Sequence, residues 1–140
     1  MPGAYSARRI TGVNCPPTSH TEGESAAARL NTRLYAVTAY NDVFSRAAAL
    51  SPSVWLVQGR MAPMIRQSQF APGTVVYMDY GQREMGNHRG MLHCFMETGN
   101  ALMERGVLLT SRLVPNGDHC EACWEEQIPI FMDILFYDRE

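Results

Sequence analysis

The stretch GTVVYMDYG, residues 73–81, decides the fold of this chain. β-branched and aromatic residues fill its centre and a glycine precedes it, so it predicts a buried strand over Thr74–Asp79. Helical patterns flank it, Arg60–Phe70 before it and Asn87–Arg105 after it, and Gly106 ends the second one. A strand between two helices predicts an α/β arrangement.

The same alternation continues outward in both directions. Upstream, Ala26–Tyr40 predicts an amphipathic helix and Ala47–Leu50 predicts a short buried strand. Downstream, Val107–Val114 predicts a third strand and Cys123–Tyr137 predicts a final helix. Because parallel strands are joined by right-handed helical crossovers, the pattern predicts a parallel sheet of three strands, or slightly more, with flanking helices.

Composition limits the classes of protein to which the chain can belong. It has 140 residues, of which 46% are hydrophobic, and this suits one globular domain. A net charge of -2 argues against binding nucleic acid through bulk positive charge. The sequence contains neither an apolar run of membrane-spanning length nor a secretory signal, and four cysteines do not suggest a disulfide scaffold. We therefore expect a cytoplasmic protein without nucleic-acid or membrane partners.

The first 24 residues differ from the rest of the chain. They are small, polar and rich in glycine and proline, and Pro16-Pro17 excludes both a helix and a central strand there. We expect residues 1–24 to be irregular. Since three strands make a narrow sheet, we expect residues 25–140 to be the C-terminal half of a larger α/β domain.

Acid–base groups follow two of the predicted strands. Glu84 lies beyond strand Thr74–Asp79, and His119 lies beyond strand Val107–Val114. The carboxyl ends of parallel strands meet at one edge of a sheet, so Glu84, or alternatively Asp79, would lie beside His119. An acid that holds an imidazole in one tautomer makes up two thirds of a nucleophilic triad, and the order acid then histidine is that of α/β-hydrolases.

Several pieces of the sequence resemble one family. Residues 40–55, YNDVFSRAAALSPSVW, are similar to the stretch after the nucleophile helix in the esterases of the α/β-hydrolase fold that include feruloyl esterases, S-formylglutathione hydrolase and siderophore esterases. Residues 78–84, MDYGQRE, resemble the acid loop of that family. Residues 114–119, VPNGDH, followed by Trp124, resemble its histidine loop. The resemblance covers about residues 34–137.

The resemblance implies a serine-type carboxylic-ester hydrolase acting on a small-molecule ester, with His119 as general base and Glu84 as its orienting acid. The candidate nucleophile is Ser25, in GESAA at residues 23–27, where the family has G-x-S-x-G-G. This stretch has alanine in place of the last glycine of G-x-S-x-G, and no apolar strand precedes it, so a helix N-cap is the favoured interpretation of Ser25. The chain is then either an active esterase or a remnant, from a truncated or frame-shifted gene, that lacks the nucleophile turn.

Two further interpretations concern association and metal binding. The chain could be a non-catalytic α/β module that forms a homodimer through an exposed sheet edge at Ala47–Leu50. Cys120 and Cys123 have zinc-ligand spacing, and His93-Cys94 could add ligands, but a second matching pair is lacking. We predict no metal and no cofactor.

Overall fold

A computed structural model describes residues 31–57 and 59–136. The elements are α1 (Thr32–Ala39), β1 (Arg46–Leu50), a 3-10 turn (Val54–Val57), α2 (Met61–Gln67), β2 (Val75–Gly81), α3 (Met91–Glu104), β3 (Leu108–Val114), α4 (Glu121–Glu125) and α5 (Ile128–Phe136). Helices and strands alternate as the sequence predicts. The predicted irregular segment 1–24 and Ser25 lie outside the described residues. The described first helix begins at Thr32 after the N-cap residue Asn31, so its predicted start at Ala26, capped by Ser25, is wrong.

The three strands form one parallel sheet in the order β1-β2-β3. Ala48 of β1 is in register with Tyr77 of β2, and Tyr77 is in register with Thr110 of β3. The central strand is buried on both faces, as expected for an apolar strand of a parallel sheet. The predicted parallel α/β sheet with flanking helices is therefore confirmed. It does not by itself identify a hydrolase, because many α/β folds contain such a sheet.

The two faces of the sheet carry hydrophobic cores of very different size. On one face, α1, α2 and α3 pack against the strands through a large cluster that includes Leu34, Ile65, Val76, Phe95 and Leu102. On the other face, α5 contributes Phe131 and Leu135 to a small cluster around Tyr77. Most of the burial that stabilises the sheet therefore lies on the first face.

The predicted helices have different limits in the structure. The helix predicted from Asn87 begins only at Met91, because Gly90 before it has a left-handed backbone with φ +76°. The final helix, predicted to be continuous, is divided into α4 and α5. Pro129 explains the division, since proline lacks an N–H and its ring would collide with the carbonyl of residue 125 in a continuous helix.

The two edges of the sheet differ in exposure. Within the described residues β1 has one strand neighbour, yet Ala47, Ala48 and Ala49 are only 3–9% exposed. At the other edge β3 likewise has one described strand neighbour, and its Leu108 and Leu113 are 47% and 45% exposed. Association through the β1 edge stays a prediction. None of the helices in the described part of the chain is long and apolar enough to cross a membrane.

Candidate acid–base site

Two glycines bring the loops after β2 and β3 into direct contact. A Cβ atom on Gly81 would lie 2.3 Å from the carbonyl oxygen of Gly117, so only glycine fits at this crossing. Backbone hydrogen bonds join the same loops, from Gln82 N–H to the Val114 carbonyl (2.9 Å) and from Arg83 N–H to the Gly117 carbonyl (3.0 Å). The crossing holds the backbones of the two loops against each other.

Glu84 and His119 meet at this crossing. The loop after β2 turns back on itself, since the Glu84 N–H donates to the Gly81 carbonyl (3.1 Å). Glu84 Oε2 then lies 2.7 Å from His119 Nδ1. The Glu84 side chain is only 4% exposed, whereas the His119 side chain is 59% exposed. A buried carboxylate therefore binds one nitrogen of an imidazole that is open to solvent.

The other oxygen of Glu84 has its own partners. Glu84 Oε1 accepts hydrogen bonds from the Gly81 N–H (2.6 Å) and from the Ser51 hydroxyl. Trp124 Nε1 donates to Ser51 Oγ (3.1 Å), and the Trp124 ring stands edge-on to the His119 ring with centroids 4.9 Å apart. We call Ser51, Glu84, His119 and Trp124 the His119 network. It joins side chains that follow all three strands to a side chain of α4.

The backbone of Ser51 is strained. It is the first residue after β1 and has φ +45°, in the left-handed region that a serine seldom adopts. Its N–H donates to the Asp79 carbonyl (2.9 Å), continuing the pairing of β1 with β2 beyond the end of the strand. Non-glycine residues held in this way cluster at functional sites, so the conformation marks Ser51 as a residue under local constraint.

The alternative acid, Asp79, is bonded elsewhere. Asp79 Oδ2 accepts from the Tyr77 hydroxyl (2.6 Å), and Oδ1 accepts weakly from the Ser51 N–H (3.4 Å). Burial raises the pKa of Asp79, although the Tyr77 hydroxyl bond opposes the rise. Asp118 forms an exposed ion pair with Arg83 (3.1 Å). Among the described carboxylates, Glu84 is the one bonded to His119.

The cysteines do not assemble a metal site in this part of the chain. Cys123 Sγ accepts a hydrogen bond from the Asp118 N–H (3.3 Å) at the start of α4. His93 and Cys94 lie apart from it on α3, beside a cavity of about 150 Å³. Within residues 31–57 and 59–136, no group of three or more histidine, cysteine, aspartate or glutamate side chains is arranged to hold a metal ion.

The sequence did not lead us to predict Ser51 as a residue of the site. Ser51-Pro52-Ser53 has the composition of a turn, and only the loops after the second and third strands suggested functional groups. The signal was nevertheless present, because Ser51 follows β1 at the same edge of the sheet as Glu84 and His119. Trp124 was identified only through the family resemblance, and its contact with Ser51 could not be expected from spacing.

Comparison of the chain with protein-family models, with curated proteins and with solved structures finds no match. The resemblance to esterases therefore rests on the quoted residues alone. Function has to be inferred from the geometry of the His119 network.

Proposed function

We propose that this chain is a serine-type carboxylic-ester hydrolase in which His119 is the general base and Glu84 is its orienting acid. One observation carries the proposal: the buried carboxylate of Glu84 lies 2.7 Å from Nδ1 of a largely exposed imidazole. An ionised carboxylate only accepts hydrogen bonds, so the contact favours a proton on Nδ1. The other nitrogen, Nε2, is then left with a lone pair that can accept a proton.

The proposed reaction follows from this arrangement. Nε2 of His119 takes the proton of the nucleophilic hydroxyl as that oxygen attacks the ester carbonyl carbon, giving a tetrahedral oxyanion. Glu84 stabilises the imidazolium, which then protonates the leaving alcohol as the ester bond breaks. A water molecule repeats the sequence on the acyl-enzyme and releases the carboxylic acid.

The nucleophile proposed from the sequence is Ser25. Ser51 is the serine of the His119 network, but its hydroxyl proton is directed at Glu84 and its oxygen accepts the Trp124 N–H. Ser51 therefore supports the acid and is not set to attack a substrate. We expect slow turnover, because GESAA at residues 23–27 departs from the nucleophile turn of the family.

Hydrolysis of short-chain p-nitrophenyl esters tests the proposal. We expect His119→Ala and Glu84→Gln each to lose about 100-fold or more in rate, because the first removes the general base and the second removes the carboxylate that holds its proton on Nδ1. Free imidazole groups also cleave such esters slowly, so His93→Ala is the matched control: its imidazole is exposed on α3, away from the network. Ser25→Ala should lose as much activity as His119→Ala.

Two results would reject ester hydrolysis by this site: no turnover by the folded wild type, or equal rates in His119→Ala and His93→Ala. A wild-type rate that is unchanged in Ser25→Ala would reject Ser25 as the nucleophile while retaining His119 as the base.

The alternative function is a non-catalytic module that associates through a sheet edge. Within the described residues β1 has β2 as its one strand neighbour, so its other edge is available to pair with a second copy of the chain. A monodisperse monomer in light scattering would contradict this alternative.

A further inference from the structure

We propose that Ser51 and Trp124 are positioning residues that hold Glu84 in one orientation and thereby keep His119 in a single tautomer. As a statement about catalysis, the inference rests on the proposed function. As a statement about structure, it concerns the position of one proton and can be tested without any substrate.

The direction of the hydrogen bonds in the network is fixed by chemistry. An indole Nε1–H can only donate, so Trp124 donates to Ser51 Oγ at 3.1 Å. Ser51 has one hydroxyl proton, and an ionised carboxylate can only accept, so that proton points to Glu84 Oε1. The bonds therefore run from Trp124 through Ser51 to Glu84. The Trp124 N–H occupies the Ser51 oxygen, and the Ser51 proton occupies Glu84 Oε1.

The two oxygens of Glu84 have separate partners as a result. Oε1 receives the Gly81 N–H, which the backbone holds in place, together with the Ser51 hydroxyl. Two donors on one oxygen fix the plane of the carboxylate and direct Oε2 at His119 Nδ1. Without the Ser51 hydroxyl, a single backbone donor remains on Oε1, and rotation of the carboxylate would weaken its bond to the imidazole.

Trp124 restrains His119 from a second side. Its ring is nearly perpendicular to the imidazole, with an interplanar angle of 86°. Trp124→Phe retains an aromatic ring beside His119 but removes the N–H that orients Ser51. The substitution therefore separates the hydrogen-bonding role of Trp124 from its packing role.

The left-handed backbone at Ser51 provides a second way to remove its hydroxyl. Ser51→Ala deletes the hydroxyl but keeps a Cβ atom at φ +45°, so the backbone strain persists. Ser51→Gly deletes the hydroxyl and relieves the strain, because glycine adopts this conformation freely. A consequence shared by both variants belongs to the hydroxyl and not to the backbone.

The experiment measures the ¹⁵N chemical shifts of the His119 imidazole at a pH where the ring is neutral. In the wild type, we expect the Nδ1–H tautomer to dominate. In Ser51→Ala and Ser51→Gly, we expect the ratio of the Nδ1–H to the Nε2–H tautomer to fall about fivefold, the factor that corresponds to one hydrogen bond of about 1 kcal/mol. Trp124→Phe should shift the ratio in the same direction by a smaller factor.

Trp55→Phe is the matched control. Trp55 stacks on His88 with ring centroids 3.7 Å apart and is not part of the network, so its substitution should leave the His119 signals in place. If Ser51→Ala does not fold, Ser51→Gly and Trp124→Phe decide the question. An unchanged tautomer ratio in the folded Ser51 variants, or an equal change in Trp55→Phe, would overturn the inference.

The outcome is distinguishable from that of the proposed function. A shifted tautomer ratio in a protein without esterase activity would support the positioning role and reject the hydrolase. Esterase activity with an unshifted tautomer ratio would support the hydrolase and reject the positioning role.

Discussion

Asp79 and Glu84 are two buried carboxylates only five positions apart, and their surroundings differ sharply. Asp79 lies within β2 and is bonded to Tyr77 on its own strand and to the backbone of Ser51. Glu84 lies on the loop beyond β2 and is bonded to His119, which reaches solvent. Both are almost fully excluded from water.

The contrast shows that burial alone does not mark a functional acid. Burial raises the pKa of Asp79, and a perturbed buried carboxylate is a common signal of an active site. Yet the hydrogen-bond partners of Asp79 are the Tyr77 hydroxyl on its own strand and the Ser51 N–H, and neither is a group that titrates near neutral pH. Glu84 is distinguished by the titratable partner that it holds at the surface.

Replacing Gly81, which lies between Asp79 and Glu84 in the sequence, should have the strongest effect on stability. A Cβ atom on Gly81 would collide with the Gly117 carbonyl, so Gly81→Ala must push the two loops apart. We expect a loss of about 3 kcal/mol in the free energy of unfolding, as for other overpacked sites. The bond between Glu84 and His119 should be lost, while the Tyr77–Asp79 bond inside β2 persists.

Urea denaturation and the ¹⁵N signals of His119 measure the two parts of this prediction. The control is Gly99→Ala on α3, where the added Cβ would meet only Leu109 Cδ2 at 3.4 Å. Alanine favours a helix, so that variant should be as stable as the wild type or more stable by up to about 1 kcal/mol. Equal stability of both variants would refute the role assigned to the loop crossing.

The second prediction uses the raised pKa of Asp79. The folded state holds the Asp79 proton more tightly than the unfolded chain, whose ordinary value is 3.8. This group therefore contributes stability that is present below about pH 3.8 and is lost as the pH rises through the folded-state pKa. Asp79→Asn has no carboxyl group to ionise, so it avoids that loss. We expect the free energy of unfolding of the variant to rise relative to that of the wild type as the pH increases, and the difference to become constant at neutral pH.

Urea midpoints across this pH range test the prediction, with the exposed Asp133→Asn as a control for the change in net charge. Esterase activity, if present, should be retained in Asp79→Asn and lost in Glu84→Gln. If the free energies of unfolding of the wild type and of Asp79→Asn changed in parallel with pH, the raised pKa of Asp79 would be contradicted.

The smallest effect is expected at the third carboxylate near His119. Asp118 pairs with Arg83 at the surface, where both side chains are about half exposed or more. Asp118→Asn should change the free energy of unfolding by less than about 1 kcal/mol, because solvent screens such pairs. It should also leave the tautomer ratio of His119 unaltered. A large change in that ratio would mean that Asp118, and not only Glu84, orients the imidazole.

The fold could be predicted from local patterns. The β-branched run at residues 74–79 and the apolar run at 107–114 are neighbouring strands, because alternation with helices leaves few other topologies. The same rule places the loops that carry Glu84 and His119 at one edge of the sheet, but it does not decide between Asp79 and Glu84 as the partner of His119.

The remaining features depend on contacts that periodicity does not encode. The break between α4 and α5 follows from Pro129, whose steric effect interrupts the single helix predicted over residues 123–137. The close approach of Gly81 and Gly117 depends on the path of two loops in space. The hydrogen bonds of Ser51 depend on a left-handed backbone that no local sequence signal demands of serine.

The hydrogen bond between Trp124 and Ser51 joins residues 73 positions apart in the chain. Closing so long a segment costs chain entropy before any contact compensates for it, so we expect this bond to form late in refolding, after the strands have docked. Intrinsic fluorescence of Trp124, followed in a Trp55→Phe background, would then report the last step of assembly.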